Sequence, residues 1–87
     1  MFGADLEGAD LSNMNLEYVD LSSSHLENAN LSNTDLHGAG LEGADLEGAN
    51  LRNANLIDAD LTRANLKHAD LKGARIRLGN TIFVIEA

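Results

Sequence analysis

Several residue types are scarce or absent in this 87-residue sequence, and each absence narrows the interpretation. There is no cysteine, which excludes disulfides and thiolate metal ligands. Cysteine content therefore does not indicate whether the protein is found in an oxidising or a reducing compartment. Proline is also absent. With no tryptophan, one tyrosine and two phenylalanines, aromatic packing is not the source of stability. No apolar run is long enough to cross a membrane, and the first residues do not resemble a signal peptide. We therefore expect a cytoplasmic protein without a membrane partner.

Positive charge is also missing from the first part of the chain. Residues 1–51 contain ten acidic residues and no Lys or Arg, for a formal charge of −10. Residues 52–87 hold all six Lys and Arg against four acidic residues, so the whole chain carries −8. Direct binding of nucleic acid is not expected from such a chain, because the phosphate backbone attracts basic surfaces.

A five-residue repeat dominates what is present. Leucine recurs at every fifth position from Leu6 to Leu71, and Ile76 takes the next place. Alanine usually stands two residues before each leucine, with Asp or Asn between them. Eighty-seven residues allow one domain, and a repeat that fills it decides the fold.

A period of five fits neither an α-helix nor a flat strand. On a helix, each step of five residues turns about 140° net, which would scatter the leucines around the axis. On a strand, an odd step sends successive leucines to opposite faces. The leucines stay together only if the backbone turns a corner in each repeat and winds around them, with successive coils stacked about 4.7–4.9 Å apart. A period of five does not by itself determine the number of sides per coil.

The run of Ala-(Asp/Asn)-Leu-X-X repeats resembles the pentapeptide-repeat family over residues 4 to about 78. The resemblance implies an all-β fold, a right-handed quadrilateral β-helix with four pentapeptides, or twenty residues, in each of about four coils. We expect residues 1–78 to form this solenoid and residues 79–87 to form a C-terminal cap or dimerisation segment. Met14, Val19 and Ser24 stand where alanine is the rule, which predicts a local bulge in residues 14–25.

No motif favours catalysis, a cofactor or a metal. His25, His37 and His68 all fall at outward repeat positions. In the twenty-residue register His37 lies on another face, and His25 and His68 lie two coils, about 9–10 Å, apart, which is too far to share one ion. The glycines of residues 38–43 match a dinucleotide-binding fingerprint, but the strand and helix that it requires are missing, and glycine suits a corner. We expect no catalytic, cofactor-binding or metal-ligating residues.

Acidic residues stack along one side if each coil holds twenty residues. This candidate surface, called the acidic face below, consists of Asp5, Glu7, Glu27, Asp45 and Glu47. Two charges about 5 Å apart repel by roughly 0.8 kcal/mol even in water, and salt screens much of this. The face is either a solubilising surface or an anionic stripe that imitates a nucleic-acid backbone. The resemblance adds that some family members are DNA mimics that bind type II topoisomerases, although those proteins are longer and often carry loops.

Two further surfaces are candidates for contacts with other proteins. Tyr18, Ile57 and Leu78 are predicted to point outward on a third face, as a mildly apolar contact patch. The apolar run Ile82, Phe83, Val84 and Ile85 either caps the last coil or pairs with a second chain. The resemblance favours a homodimer built on this end, because family members commonly dimerise through their C-terminal ends.

Three interpretations of function remain open from the sequence. The first is a non-enzymatic scaffold or protein-interaction module of unknown partner. The second is an acidic DNA mimic that binds a type II topoisomerase such as gyrase. The third is a designed or consensus repeat array without a biological role, which the regularity of the repeat allows.

Overall fold

The backbone of the computed structural model, which describes residues 1–86, turns a corner in every repeat, and residues twenty apart pair in parallel. One such column runs Asp5, His25, Asp45 and Asn65, and the others follow the same spacing up to the pair Asn55 and Arg75. The protein is therefore the predicted all-β, right-handed quadrilateral β-helix of about four coils. Residues 1–86 form no helix, and so none that could cross a membrane.

Each corner has a residue with a left-handed backbone, always two positions after the leucine. Gly8 (φ 70°), Asn28 (φ 59°) and Gly48 (φ 71°) show the pattern in one column. Glycine adopts this conformation without a steric cost, and Asn and Asp tolerate it better than other residues do. Gly38 (φ 67°) and Gly43 (φ 68°) therefore serve the corners, as the sequence predicted.

The core is a stack of leucine layers with alanine between them. The six leucines from Leu26 to Leu51 are fully buried, and so is Leu21. Burying a leucine side chain contributes about 1.5–3 kcal/mol relative to leaving it exposed. Leucines of the first and last coils, such as Leu6 and Leu66, are only partly buried because each has a coil on one side alone. The leucine core is therefore fully buried in the middle of the solenoid and partly exposed to solvent at both ends.

The predicted bulge in residues 14–25 is absent, because pairing continues unbroken through Asn15–Asp35 and Asp20–Gly40. Met14 does not enter the core: it lies in the first coil with 45% of its surface exposed. Ser24 is buried and ties down the start of the chain. Its Oγ donates to the Met1 carbonyl (3.0 Å) and accepts from the Ala4 N–H (3.1 Å). Serine thus replaces alanine here without disturbing the coil.

The chain ends in a β-hairpin that grows out of the last coil. Strand β1 (Arg75–Leu78) pairs antiparallel with β2 (Thr81–Val84), and Gly79 (φ 64°) lies in the turn between them. Ile85 then returns to the solenoid, where its N–H donates to the Ala74 carbonyl (2.9 Å). The predicted boundary between a solenoid of residues 1–78 and a C-terminal segment of residues 79–87 stays a prediction. The hairpin has one strand on each side of this boundary, and Ala87 lies outside the described residues.

Candidate functional site

The acidic face is formed by two adjacent columns on one wall of the solenoid. In the first column Glu7, Glu27 and Glu47 occupy successive coils. The coils are joined there by hydrogen bonds from Gly8 N–H to the Glu27 carbonyl and from Asn28 N–H to the Glu47 carbonyl, both 2.9 Å. The expected ladder of three stacked glutamates therefore exists, and Lys67 takes the next rung, where its carbonyl accepts from Gly48 N–H.

The second column places a histidine between the two aspartates. His25 pairs with Asp5 on one side and with Asp45 on the other. Its Nδ1 lies 3.3 Å from Oε2 of Glu27, two residues along the chain. The His25 side chain is 60% exposed, whereas that of Glu27 is only 23% exposed. The acidic face is thus continuous with an imidazole, which the sequence analysis treated as a separate surface residue.

Little positive charge offsets this face. Among residues 1–86, no Lys or Arg nitrogen lies within 4.0 Å of its five carboxylates, and the ion pairs of Arg52, Arg63 and Arg77 are made with other acids. The glutamate column lines an open groove of about 440 Å³, together with Asn28, Gly48 and His68. The groove presents carboxylates to solvent and would favour a cationic ligand.

The structure also brings together three side chains that sequence reasoning did not combine. Ligand atoms of His25, Glu27 and Asp45 all lie within 4.8 Å of one another. From the sequence, only an ion shared by two histidines was considered, and a histidine combined with carboxylates was not predicted. The spacing in the sequence could have indicated this cluster, because Glu27 follows His25 by two residues and Asp45 follows His25 by twenty, which is one coil.

Comparison with known proteins now decides the family. The model for pentapeptide repeats matches residues 4–43 and 39–77 in eight copies. The chain belongs to the pentapeptide repeat family. Proteins of this family are generally non-enzymatic repeat proteins that act as scaffolds or interaction modules. No curated protein sequence matches this pentapeptide repeat protein.

Solved structures of other pentapeptide repeat proteins resemble it closely. One is Rfr23 from the cyanobacterium Cyanothece 51142, with 45% identity over 88% of this chain and a TM-score of 0.88. Another is a protein of the Arabidopsis thaliana thylakoid lumen, with 36% identity over 92% of this chain and a TM-score of 0.56. The chain spans 52% of the first structure and 59% of the second, just over half of each.

The predicted apolar patch of this pentapeptide repeat protein is wrong at its centre. Ile57 is only 6% exposed, whereas Tyr18 and Leu78 are 71% and 63% exposed. The neighbours of Ile57 in the adjacent coils are His37 and Arg77, and both are held near Asp58, at 3.8 and 3.2 Å. Ile57 therefore belongs to the wall of the solenoid, and the two remaining residues do not form an apolar patch with it.

The C-terminal run of the protein divides into two parts. Ile82, Phe83 and Val84 in β2 remain about half exposed, at 50%, 47% and 54%. Ile85 instead packs against the core and accepts a hydrogen bond from Gly73 N–H (2.6 Å) through its carbonyl. Ile85 thus covers part of the last coil, and the other three present an apolar surface.

Proposed function

We propose that this pentapeptide repeat protein is a non-enzymatic interaction module whose acidic face binds a basic surface on a partner protein. The observation that carries the proposal is the stack of Glu7, Glu27 and Glu47 in successive coils without a Lys or Arg partner among the described residues. Stacked like charges oppose folding slightly, and a cationic partner removes that cost on binding.

The shape of the face supports binding of a macromolecule over chemistry on a small one. Its groove is open along the wall, whereas small-molecule sites usually enclose most of their ligand. The wall itself is rigid, because a backbone hydrogen bond joins each rung to the next one. A rigid charged surface loses little conformational entropy when a partner binds.

A variant of the face tests this proposal against its matched control. The variant carries Glu7→Gln, Glu27→Gln and Glu47→Gln, and the control carries Asp10→Asn, Glu17→Gln and Asp20→Asn, which change the net charge equally. Binding of a ten-residue lysine peptide is measured by calorimetry at low and moderate salt. We expect at least a fivefold loss of affinity in the variant and a smaller loss in the control. Equal losses would show that net charge alone attracts the peptide.

The second candidate function, a DNA mimic that binds a type II topoisomerase, is favoured by the charge density. Residues 1–51 carry ten acidic side chains over two and a half coils, or about 12 Å of axis. This is about one charge per 1.2 Å, and duplex DNA carries one per about 1.7 Å. The N-terminal half therefore exceeds the charge density of DNA along the axis, although its charges are spread over four walls.

A gyrase supercoiling assay separates the two candidates. A DNA mimic should inhibit supercoiling at micromolar protein, and the Glu7, Glu27 and Glu47 variant should inhibit less than its control. Absence of inhibition by the wild type would remove the DNA-mimic function and leave the interaction module.

A further inference from the structure

Three side chains from two adjacent coils converge at the glutamate column. His25 and Glu27 belong to one coil and Asp45 to the next, and their ligand atoms lie within 4.8 Å of one another. An imidazole nitrogen and two carboxylate oxygens are typical ligands of borderline divalent metals. Around a tetrahedral zinc ion such atoms lie about 3.3–3.5 Å apart. The distance of 3.3 Å between Nδ1 of His25 and Oε2 of Glu27 is already in that range.

The third ligand has an oxygen to spare. Oδ1 of Asp45 accepts hydrogen bonds from the Glu47 N–H (3.1 Å) and the Asn65 side-chain amide (3.2 Å). These bonds hold the carboxylate at the corner through Oδ1 and leave Oδ2 without a hydrogen bond among the described residues. The exposed imidazole of His25 can rotate to complete the approach, because its side chain is 60% exposed.

An independent observation points to a missing positive partner. Oε1 of Glu27 is enclosed and has no hydrogen-bond donor among the described residues. A buried carboxylate oxygen without a donor is costly. The stacking neighbours of Glu27 are Glu7 and Glu47, which supply negative charge and no donor. A cation held by both carboxylate oxygens of Glu27, Oε2 beside His25 and the unpartnered Oε1, would satisfy this oxygen and screen both neighbours.

We propose that His25, Glu27 and Asp45 form a binding site for a divalent transition metal of the zinc(II) class. The imidazole nitrogen favours zinc over magnesium and calcium, which prefer oxygen ligands alone. Three protein ligands leave a coordination position for water. Because the ligands come from two coils, the metal would link the second coil to the third. The site is separate from the proposed protein-binding function and needs no partner protein.

Zinc chloride titration of the full chain at pH 7.5 tests the site, with the metal alone as the probe. The variant is His25→Asn, since asparagine occupies the same repeat position at Asn30 and Asn50 within intact columns. Wild type should bind one equivalent of zinc and gain thermal stability, because a ligand that binds only the folded state raises it. His25→Asn and Glu27→Gln should each weaken binding at least tenfold and lose the thermal gain.

His68→Asn is the matched control, because it removes a second histidine beside the glutamate groove. Its backbone angle (φ 61°) is one that asparagine accepts at Asn28 (φ 59°), so the fold should persist. This control should bind zinc as the wild type does. The site is disproved if His25→Asn binds zinc normally, if His68→Asn loses binding instead, or if magnesium binds as tightly as zinc. An imidazole NMR spectrum in which zinc shifts the His25 Nδ1 signal would confirm the ligand atom.

Discussion

At the residue scale, stability depends most on the corner position, where the backbone is left-handed. For a residue with a side chain this conformation costs roughly 1–2 kcal/mol, and only glycine avoids the cost. Tyr18 (φ 59°) accepts it and lays its ring over Gly38 of the next coil. There the ring meets His37 edge to face, with centroids 5.5 Å apart and planes at 78°. Gly38 is thus favoured by its backbone angle and required for its lack of a side chain.

Gly38→Ala should lower the free energy of unfolding more than Gly43→Ala, which makes the same change at the next corner. Gly38→Ala places a methyl group against the Tyr18 ring, whereas Gly43→Ala, with a similar φ, meets nothing closer than Ser23 Oγ at 3.7 Å. We expect about 1 kcal/mol of destabilisation from the backbone in both, and about 1 kcal/mol more in Gly38→Ala from the displaced ring.

Urea unfolding followed by fluorescence measures both effects, because Tyr18 is the only tyrosine and there is no tryptophan. The native fluorescence should change in Gly38→Ala and stay as in the wild type in Gly43→Ala. Equal stability of the two variants would contradict the contact between Tyr18 and Gly38.

At the scale of the element, the Asp or Asn before each leucine builds the corner. Its Oδ1 accepts a hydrogen bond from the N–H two residues ahead, as Asp10 does from Ser12 (3.1 Å) and Asn50 from Arg52 (3.0 Å). These bonds satisfy backbone donors that face solvent at the turn. The repeat preference for Asp and Asn is therefore structural, and His25 and Gly40, which stand at the same position, lack this bond.

A hydroxyl two residues ahead strengthens this corner at three aspartates. The side-chain hydroxyls of Ser12, Ser22 and Thr62, followed by their N–H groups, lower the pKa of Asp10, Asp20 and Asp60 below 3.8. A folded-state pKa below the unfolded one contributes stability above about pH 4, and this contribution is lost as pH falls through the folded pKa. The free energy of unfolding should therefore decrease in acid below about pH 4.

The variant Asp10→Asn, Asp20→Asn, Asp60→Asn should show a flatter decrease between about pH 4 and pH 2. Asparagine keeps the corner without titrating, since Asn30 accepts the Ser32 N–H (3.0 Å) and Oγ (2.7 Å) in the same way. The control Glu7→Gln, Glu17→Gln, Glu47→Gln removes three charges and none of these hydrogen bonds. Denaturant unfolding across pH measures the slopes, and an unchanged slope in the aspartate variant would refute this explanation.

For the whole molecule, acidic charge is concentrated at the N-terminal end, and an apolar strand is half exposed at the C-terminal end. The first 51 residues carry −10, and the last coils are near neutral and end in the half-exposed Ile82, Phe83 and Val84. Two copies that meet by their C-terminal ends bury apolar surface and keep the acidic halves apart. We therefore expect a two-fold dimer to form tail to tail, because charge repulsion opposes contact between the N-terminal halves although Phe2 is exposed there.

Sedimentation of variants at both ends tests this dimer. Phe83→Asp should weaken the dimer strongly, because it places a charge in the apolar contact. Phe2→Asp makes the same change at the acidic end, where Phe2 is 70% exposed, and should leave association unchanged. Salt should have little effect. A wild-type monomer at high concentration, or a dimer that tolerates Phe83→Asp, would leave β2 as an end cap only.

Much of this protein could be predicted from the period of five alone. That period requires a corner in every repeat, places the leucines inside and accounts for glycine two residues after them. Four sides per coil came from the family resemblance, because the period also permits other numbers. With twenty residues per coil, the column of Glu7, Glu27 and Glu47 followed at once. Such predictions succeed because each repeat contacts only its neighbours, so one local rule extends along the chain.

Only the tertiary structure decided where side chains of different coils meet and how the ends are finished. The burial of Ile57, the cluster of His25, Glu27 and Asp45, and the exposure of Met14 were not predicted. The first two depend on side-chain directions across neighbouring coils, which a repeat pattern does not contain. Met14 and the C-terminal hairpin lie where the repeat lacks a neighbour on one side. The repeat does not predict the structure at these ends, where contacts particular to this chain determine it.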